Sequence, residues 1–235
     1  MKSLQERMQE AINLFHSGGY LRHNTRRQEH LNSLRLPIQG KSVLEVGAGI
    51  GDHSTFFIDR GCDITITEVR EENLEIIRQR FPHLSTMKLD MENPPDFNGV
   101  QYDIVYCYGL LYHVEDPKVS LDYLAKCCKG LLLLETCVSS DLDSEVNTVT
   151  EADDQTQAYS RIGCRPTRFM LWKYLKSLFP YVYLTKTQPA HEEFPLNWES
   201  PDLSHLTRAV FVASQTKLDN DMLSDELLMQ QTLEL

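Results

Sequence analysis

The sequence of 235 residues contains no apolar run that approaches the roughly 18 residues needed to cross a bilayer. A helical membrane span is thereby excluded. The first fifteen residues, MKSLQERMQEAINLF, are interrupted by charge and lack the continuous apolar centre of a secretory signal. A cytoplasmic protein with no membrane partner is expected. Positive charge is also scarce, since 23 Lys and Arg face 34 Asp and Glu and leave a formal net charge of −11. Grip on nucleic acid depends on clustered cations that displace counterions from phosphates, so a small-molecule substrate is expected and no nucleic-acid partner. The six cysteines (Cys62, Cys107, Cys127, Cys128, Cys137, Cys164) include no C-x-x-C pair. Free thiols, mostly buried, in a reducing compartment are the expectation, with no metal held by them.

What the chain does have is an alternation between two periods. Apolar positions at helical spacing (Met8, Ile12, Phe15, then Leu31, Leu34) are broken at Gly18-Gly19 and closed by Pro37, which predicts two helices. Ser42 to Val46 reads as a strand, Asp52 to Arg60 as a helix stopped by Gly61, Asp63 to Thr67 as a second strand and Glu71 to Phe81 as a helix. A strand near Ser85 to Leu89, a turn-rich stretch over 92–99, the strand Tyr102 to Tyr108, a helix Pro117 to Cys128 and the strand LLLLET after Gly130 continue the series. Nearly unbroken apolar strands separated by helices predict a doubly wound α/β fold, its mostly parallel sheet covered on both faces. Residues 139–159 are acidic and without period, a surface loop placed to close over a site. Arg168 to Leu178 is a further helix, and Tyr181 to Thr185 and Ala209 to Ala213 complete a seven-stranded sheet.

One stretch carries chemistry, VLEVGAGIGDH over residues 43–53. Glycine after a strand lets the backbone turn sharply and approach a ligand closely. The dinucleotide fingerprint G-x-G-x-x-G would place its third glycine at position 52, where Asp52 stands. Glu45 and Asp52 flank Gly47, Gly49 and Gly51 and would repel a diphosphate, whereas a cationic ligand with an amino-acid part suits them. E-V-G-A-G-I-G resembles the first motif of the class I S-adenosylmethionine-dependent methyltransferases. Further landmarks stand at the strand ends where that family has them: Glu68, the pair Asp90-Met91 in KLDMEN, and YCYGLLYHVEDP over 106–117. The last is similar to the small-molecule branch of the family, and the resemblance extends firmly over 40–138.

The resemblance implies a Rossmann-like domain over 1–218. A helical lid (1–37), a cofactor-binding half (40–138) and a substrate half (139–214) would make it up, followed by an acidic tail (219–235) that is frayed or loosely helical. It implies S-adenosylmethionine as cofactor, S-adenosylhomocysteine as product, Glu68 on the ribose hydroxyls and Asp90 with Met91 beside the adenine. Glu45, the three glycines and Tyr108 join them as cofactor residues.

Methyl transfer requires alignment of nucleophile, methyl carbon and sulfur, and a base to take the nucleophile's proton. His113 is the first candidate base, following the fourth strand, and His191 the second, in the Pro-flanked run QPAHEEFPLNW. Tyr112, Glu192, Arg165, Arg168 and Trp198 are expected to meet the substrate, and Tyr20, Arg22, His23, Asn24, Arg26 and Arg27 to supply the lid's polar face. A metal on His191 and a glutamate would need fourth-strand acids to complete it; none is evident, so no metal is expected. The acceptor is read as a hydroxyl of a sugar or natural product; a small amine or a non-catalytic cofactor-binding domain stays open, as does monomer against homodimer.

Overall fold

The computed structural model describes residues 2–139 and 145–233. Ser3 starts helix α1 (Leu4–Phe15): its hydroxyl accepts the Glu6 amide while the Glu6 carboxylate accepts the Ser3 amide. Helix α2 (Gly18–Ser33) follows, and the chain then alternates through β1 (Ser42–Val46), α3 (Ser54–Ile58), β2 (Asp63–Glu68), α4 (Glu71–Arg80), β3 (Ser85–Lys88) and β4 (Tyr102–Tyr108). After a 3-10 turn at Leu111–His113, Asp116 caps the next helix by accepting the Lys118 amide, and Pro117 occupies its first turn. That helix, α5 (Pro117–Cys127), feeds directly into β5 (Cys128–Cys137).

Strands β3, β2, β1, β4 and β5 lie side by side and parallel. Leu44, Val105, Leu132 and Leu134 face one core layer, with α5 and the later α6 over it; Val43, Ile66, Ile104 and Leu133 face the other, against α2, α3 and α4. Both faces being covered explains why these strands carry apolar residues at consecutive positions. Helix α1 docks separately, with Ala11 and Phe15 packed on Ile50 and Ile76.

The second half departs from expectation in two places. Part of the acidic stretch at 139–159 forms structure: β6 (Thr148–Thr150) pairs antiparallel with β7 (Ile162–Cys164). Residues 140–144 of that stretch lie outside the described residues. Helix α6 (Arg168–Leu178), capped by Thr167 accepting the Met170 amide, leads to β8 (Tyr181–Thr185) and the short β9 (Thr187–Gln188); β10 (Arg208–Ser214) then inserts antiparallel between β5 and β8. The sheet has eight strands where seven were expected. The additional one, β11 (Leu223–Ser224), belongs to the tail read as frayed, and it pairs antiparallel with the otherwise open edge of β8. Leu223 is buried there, and β12 (Thr232–Leu233) pairs with β9. Backbone pairing and one buried leucine order a segment whose composition alone gave no period.

Among the parallel strands, chain order runs outward from β1 in both directions, so the sheet has its switch point between β1 and β4. Ligands of open α/β sheets bind outside the carboxyl ends of the strands at such a point.

Candidate cofactor and acceptor site

A cleft opens at that point. The glycine turn forms its floor. Gly47 and Gly49 have φ of +70° and +60°, a region that side chains disfavour. A Cβ on Gly49 would come within 2.6 Å of the Phe15 ring, and one on Gly47 within 2.9 Å of Leu110. Both positions therefore require glycine on two grounds. Gly51 serves differently: its amide donates to the Ala48 carbonyl at 2.9 Å, and it does not line the cleft.

Glu45, at the carboxyl end of β1, lines the cleft and accepts a hydrogen bond from the Ser54 hydroxyl. Burial pushes its carboxyl up to about 7 against that bond. Asp52 also reaches the cleft, but Arg80 holds its carboxylate at 2.6 Å, so its charge is already matched. Glu68, at the end of β2, accepts the backbone amides of Gly49, Val69 and Arg70 at 2.9, 2.8 and 3.0 Å. Asp90 and Met91 follow along the same wall, Asp90 accepting the Glu92 amide at 3.0 Å. Gln155, Thr156, Gln157 and Tyr159 close this side, tied down by Arg70, which donates to the carbonyls of Asp154 and Gln157. The closing role expected of 139–159 thus falls to 155–159.

At the other end the cleft is walled by Tyr108, His113 and His53, with Tyr20, Asn24 and Arg27 of α2 above. Tyr106 and Tyr108 stack with centroids 4.3 Å apart, and the Tyr106 hydroxyl meets His53 Nδ1 at 2.5 Å. Tyr108 Oη and His53 Nε2 are buried and have no protein partner. His113 is buried, its Nδ1 2.5 Å from the Glu151 carboxylate. Glu151 also accepts the Ala158 amide at 2.7 Å and an Arg165 guanidinium contact at 3.3 Å. Burial lowers the His113 pKa, and the Glu151 carboxylate partly restores it. The ring is neutral near pH 7, with a carboxylate fixing its tautomer.

Behind this wall lies a buried ionic network that the sequence reading did not anticipate. Glu135, fully buried at the end of β5, accepts from Arg27 at 2.8 Å and from Arg208 at 3.0 Å. Arg208 further donates to the Tyr112 hydroxyl at 3.1 Å and to Glu193 at 2.5 Å. Burial opposes ionisation of Glu135, but the two guanidinium charges hold its carboxyl below the usual range.

Several expected substrate residues therefore lie elsewhere. Tyr112 supports Arg208 and does not line the cleft; Arg165 braces Glu151 and the Tyr112 carbonyl. Arg168 stacks over Trp198 at 3.8 Å and donates to the Leu228 carbonyl, while Trp198 donates to Gln231. Those two residues fasten the tail. His191 and Glu192 line a separate surface depression, Glu192 paired with Arg22 at 2.7 Å. All six cysteines are free, five of them buried.

A family model described as a methyltransferase domain matches residues 7–183. The ubiquinone biosynthesis O-methyltransferase of Idiomarina loihiensis is 31% identical over 94 residues, 38% of this chain and 39% of that protein. The tRNA U34 carboxymethyltransferase of Haemophilus influenzae is 27% identical over 156 residues, 60% of this chain and 46% of that one. The chain spans less than half the length of these two curated relatives. Among solved structures, the N-terminal domain of EvdMO1, determined in the presence of SAH and D-fucose, superposes with a TM-score of 0.62 at 22% identity, covering 91% of this chain and 97% of that one.

Proposed function

Given that the chain belongs to the class I S-adenosylmethionine-dependent methyltransferases, we propose that it methylates a hydroxyl oxygen of a small polar molecule, of the sugar or natural-product kind, with His113 as general base. The cleft suits the cofactor. Its lining brings strand-end carboxylates, the glycine turn and aromatic rings together, and the Gly47–Gly49 backbone is shaped for close approach. Bound there, S-adenosylmethionine supplies an electrophilic methyl group on a sulfonium. In this reading Glu68 takes the ribose hydroxyls, Asp90 and Met91 flank the adenine, and Glu45 faces the cationic methionine part.

The observation that carries the proposal is the His113–Glu151 pair on the cleft wall. With Nδ1–H donated to the carboxylate, Nε2 is left as the acceptor for a hydroxyl proton, and Glu151 stabilises the imidazolium that forms. A hydroxyl is too weak an acid to react without such a base. Tyr108 Oη and His53 Nε2, buried on the same wall and unpartnered, offer hydrogen bonds to a polyhydroxylated acceptor. The D-fucose named with the EvdMO1 domain and the O-methylation named for the ubiquinone relative support this choice.

The longer match to the tRNA enzyme favours a second reading, a tRNA acceptor. The net charge of −11 weighs against it. Release of S-adenosylhomocysteine is to be followed with a panel of sugars and phenols, with small amines, and with bulk tRNA. Turnover with a hydroxylated small molecule alone is expected; turnover only with tRNA or only with amines would overturn the acceptor assignment.

A further inference from the structure

Outside the cleft, three metal-ligating side chains from distant parts of the sequence converge. His23 comes from α2; His191 and Glu193 come from the loop between β9 and β10. One ligand atom of each lies within 4.8 Å of the others, with His23 Nε2 3.8 Å from Glu193 Oε2. The His23 and His191 rings sit with centroids 4.7 Å apart. His23 is only 8% exposed, and its Nε2 is buried without a hydrogen-bond partner. An unsatisfied buried imidazole nitrogen costs free energy unless a ligand completes it.

We propose that His23, His191 and Glu193 bind a divalent transition-metal ion of the zinc class, which fastens the lid helix to the β9–β10 loop. Two imidazoles and one carboxylate are a donor set suited to zinc and its first-row neighbours and poorly suited to magnesium or calcium. Tetrahedral zinc with bonds of about 2.1 Å holds its donors roughly 3.4 Å apart, so donors that already lie within 4.8 Å of one another draw slightly closer on binding. The outer partners are in place. Arg208 donates to Glu193 at 2.5 Å and orients its carboxylate, as groups around metal-binding carboxylates do. The neighbouring cations Arg22, Arg27 and Arg208 are each paired with a carboxylate, of Glu192, Glu135 and Glu193. The depression lined by Arg22, His191, Glu192 and Phe194 provides a route from solvent.

The test uses the full chain, stripped with a chelator and dialysed. Titration with Co²⁺ should develop visible d–d absorption that saturates at one equivalent and is displaced by Zn²⁺, and Zn²⁺ should raise the melting temperature. His191→Ala, in the loop, should weaken Zn²⁺ binding at least about tenfold and remove the thermal shift, with the far-UV circular dichroism unchanged. Glu193→Gln should do the same to binding, and serves if His23 variants do not fold. Absence of a stoichiometric d–d band, or equal Zn²⁺ affinity in wild type and His191→Ala, overturns the site; the second result would mean that other residues hold the ion.

Discussion

At the scale of single residues, the proposed reaction rests on a histidine that burial keeps neutral and a glutamate that orients it. His113→Gln should lower kcat by about 10²-fold or more while the dissociation constant for S-adenosylhomocysteine stays the same; single-turnover rates and calorimetry separate the two. Because burial outweighs Glu151 at His113, the acid limb of the kcat/KM profile should fall below the ordinary histidine value of about 6.5. Glu151 raises the His113 pKa, so Glu151→Gln should move that limb lower still as well as slow the reaction. An unmoved limb would remove Glu151 as the orienting group. Glu45 gives a second titration. Its carboxyl, pushed up to about 7, favours the folded protein fully below about 4.5 and ceases to do so as the pH rises through 7. A cationic ligand beside it favours the charged form. Cofactor affinity should accordingly rise up to about tenfold between pH 6 and 8 and stay flat in Glu45→Gln; an equally flat wild type would take Glu45 out of the cofactor site.

At the scale of elements, the lid is held to the sheet by charge. Arg27 of α2 and Arg208 of β10 meet on the one carboxylate of Glu135, at the end of β5. Taking that charge away leaves the buried Arg27 guanidinium with only the neutral Asn24 side chain and Arg208 with Glu193 alone, and breaking a buried pair in this way costs about 3–5 kcal/mol. Glu135→Gln should lower the urea midpoint accordingly, and protection of α2 amides from exchange should fall before that of β4 or β5. The strands and the glycine turn were readable in the sequence because their pattern is local: an apolar run, glycines at alternate positions, acids at the following strand ends. The partners that complete the site were not. Glu151 lies 38 residues from His113 in an acidic stretch with no period, and Arg208 reaches Glu135 only because β10 inserts beside β5. A lone glutamate ending LLLLET was the available signal, since an apolar strand carries a charge only where something meets it. Tyr112, Arg165, Arg168 and Trp198 were read toward the substrate from residue type, which does not say on which face of an element a side chain falls.

At the scale of the whole molecule, the sheet has two edges and treats them differently. On one side it ends at β3, four residues long and closed by Lys88. On the other, β8 would expose a row of unpaired amides and carbonyls, and β11 pairs with its last two residues, Leu184 and Thr185. Unprotected edges of that kind invite pairing with another chain. The same tail satisfies Trp198 Nε1 and Gln188 through Gln231, accepts Arg168 at the Leu228 carbonyl, and donates from Asn220 to the Leu34 carbonyl behind the lid. A chain truncated after Leu218 should therefore melt at a lower temperature, shift its tryptophan emission to the red as Trp198 loses cover, and self-associate in light scattering. Because, among the described residues, β1, β2, β4 and the glycine turn make no strand pairing with the tail, its cofactor affinity below the melting range should stay within about threefold of wild type, a difference of roughly 0.7 kcal/mol. A truncated chain that stays monodisperse with an unchanged melting temperature would show that β8 does not need its cover. Loss of cofactor binding at low temperature would instead show that tail and cleft form one cooperative unit.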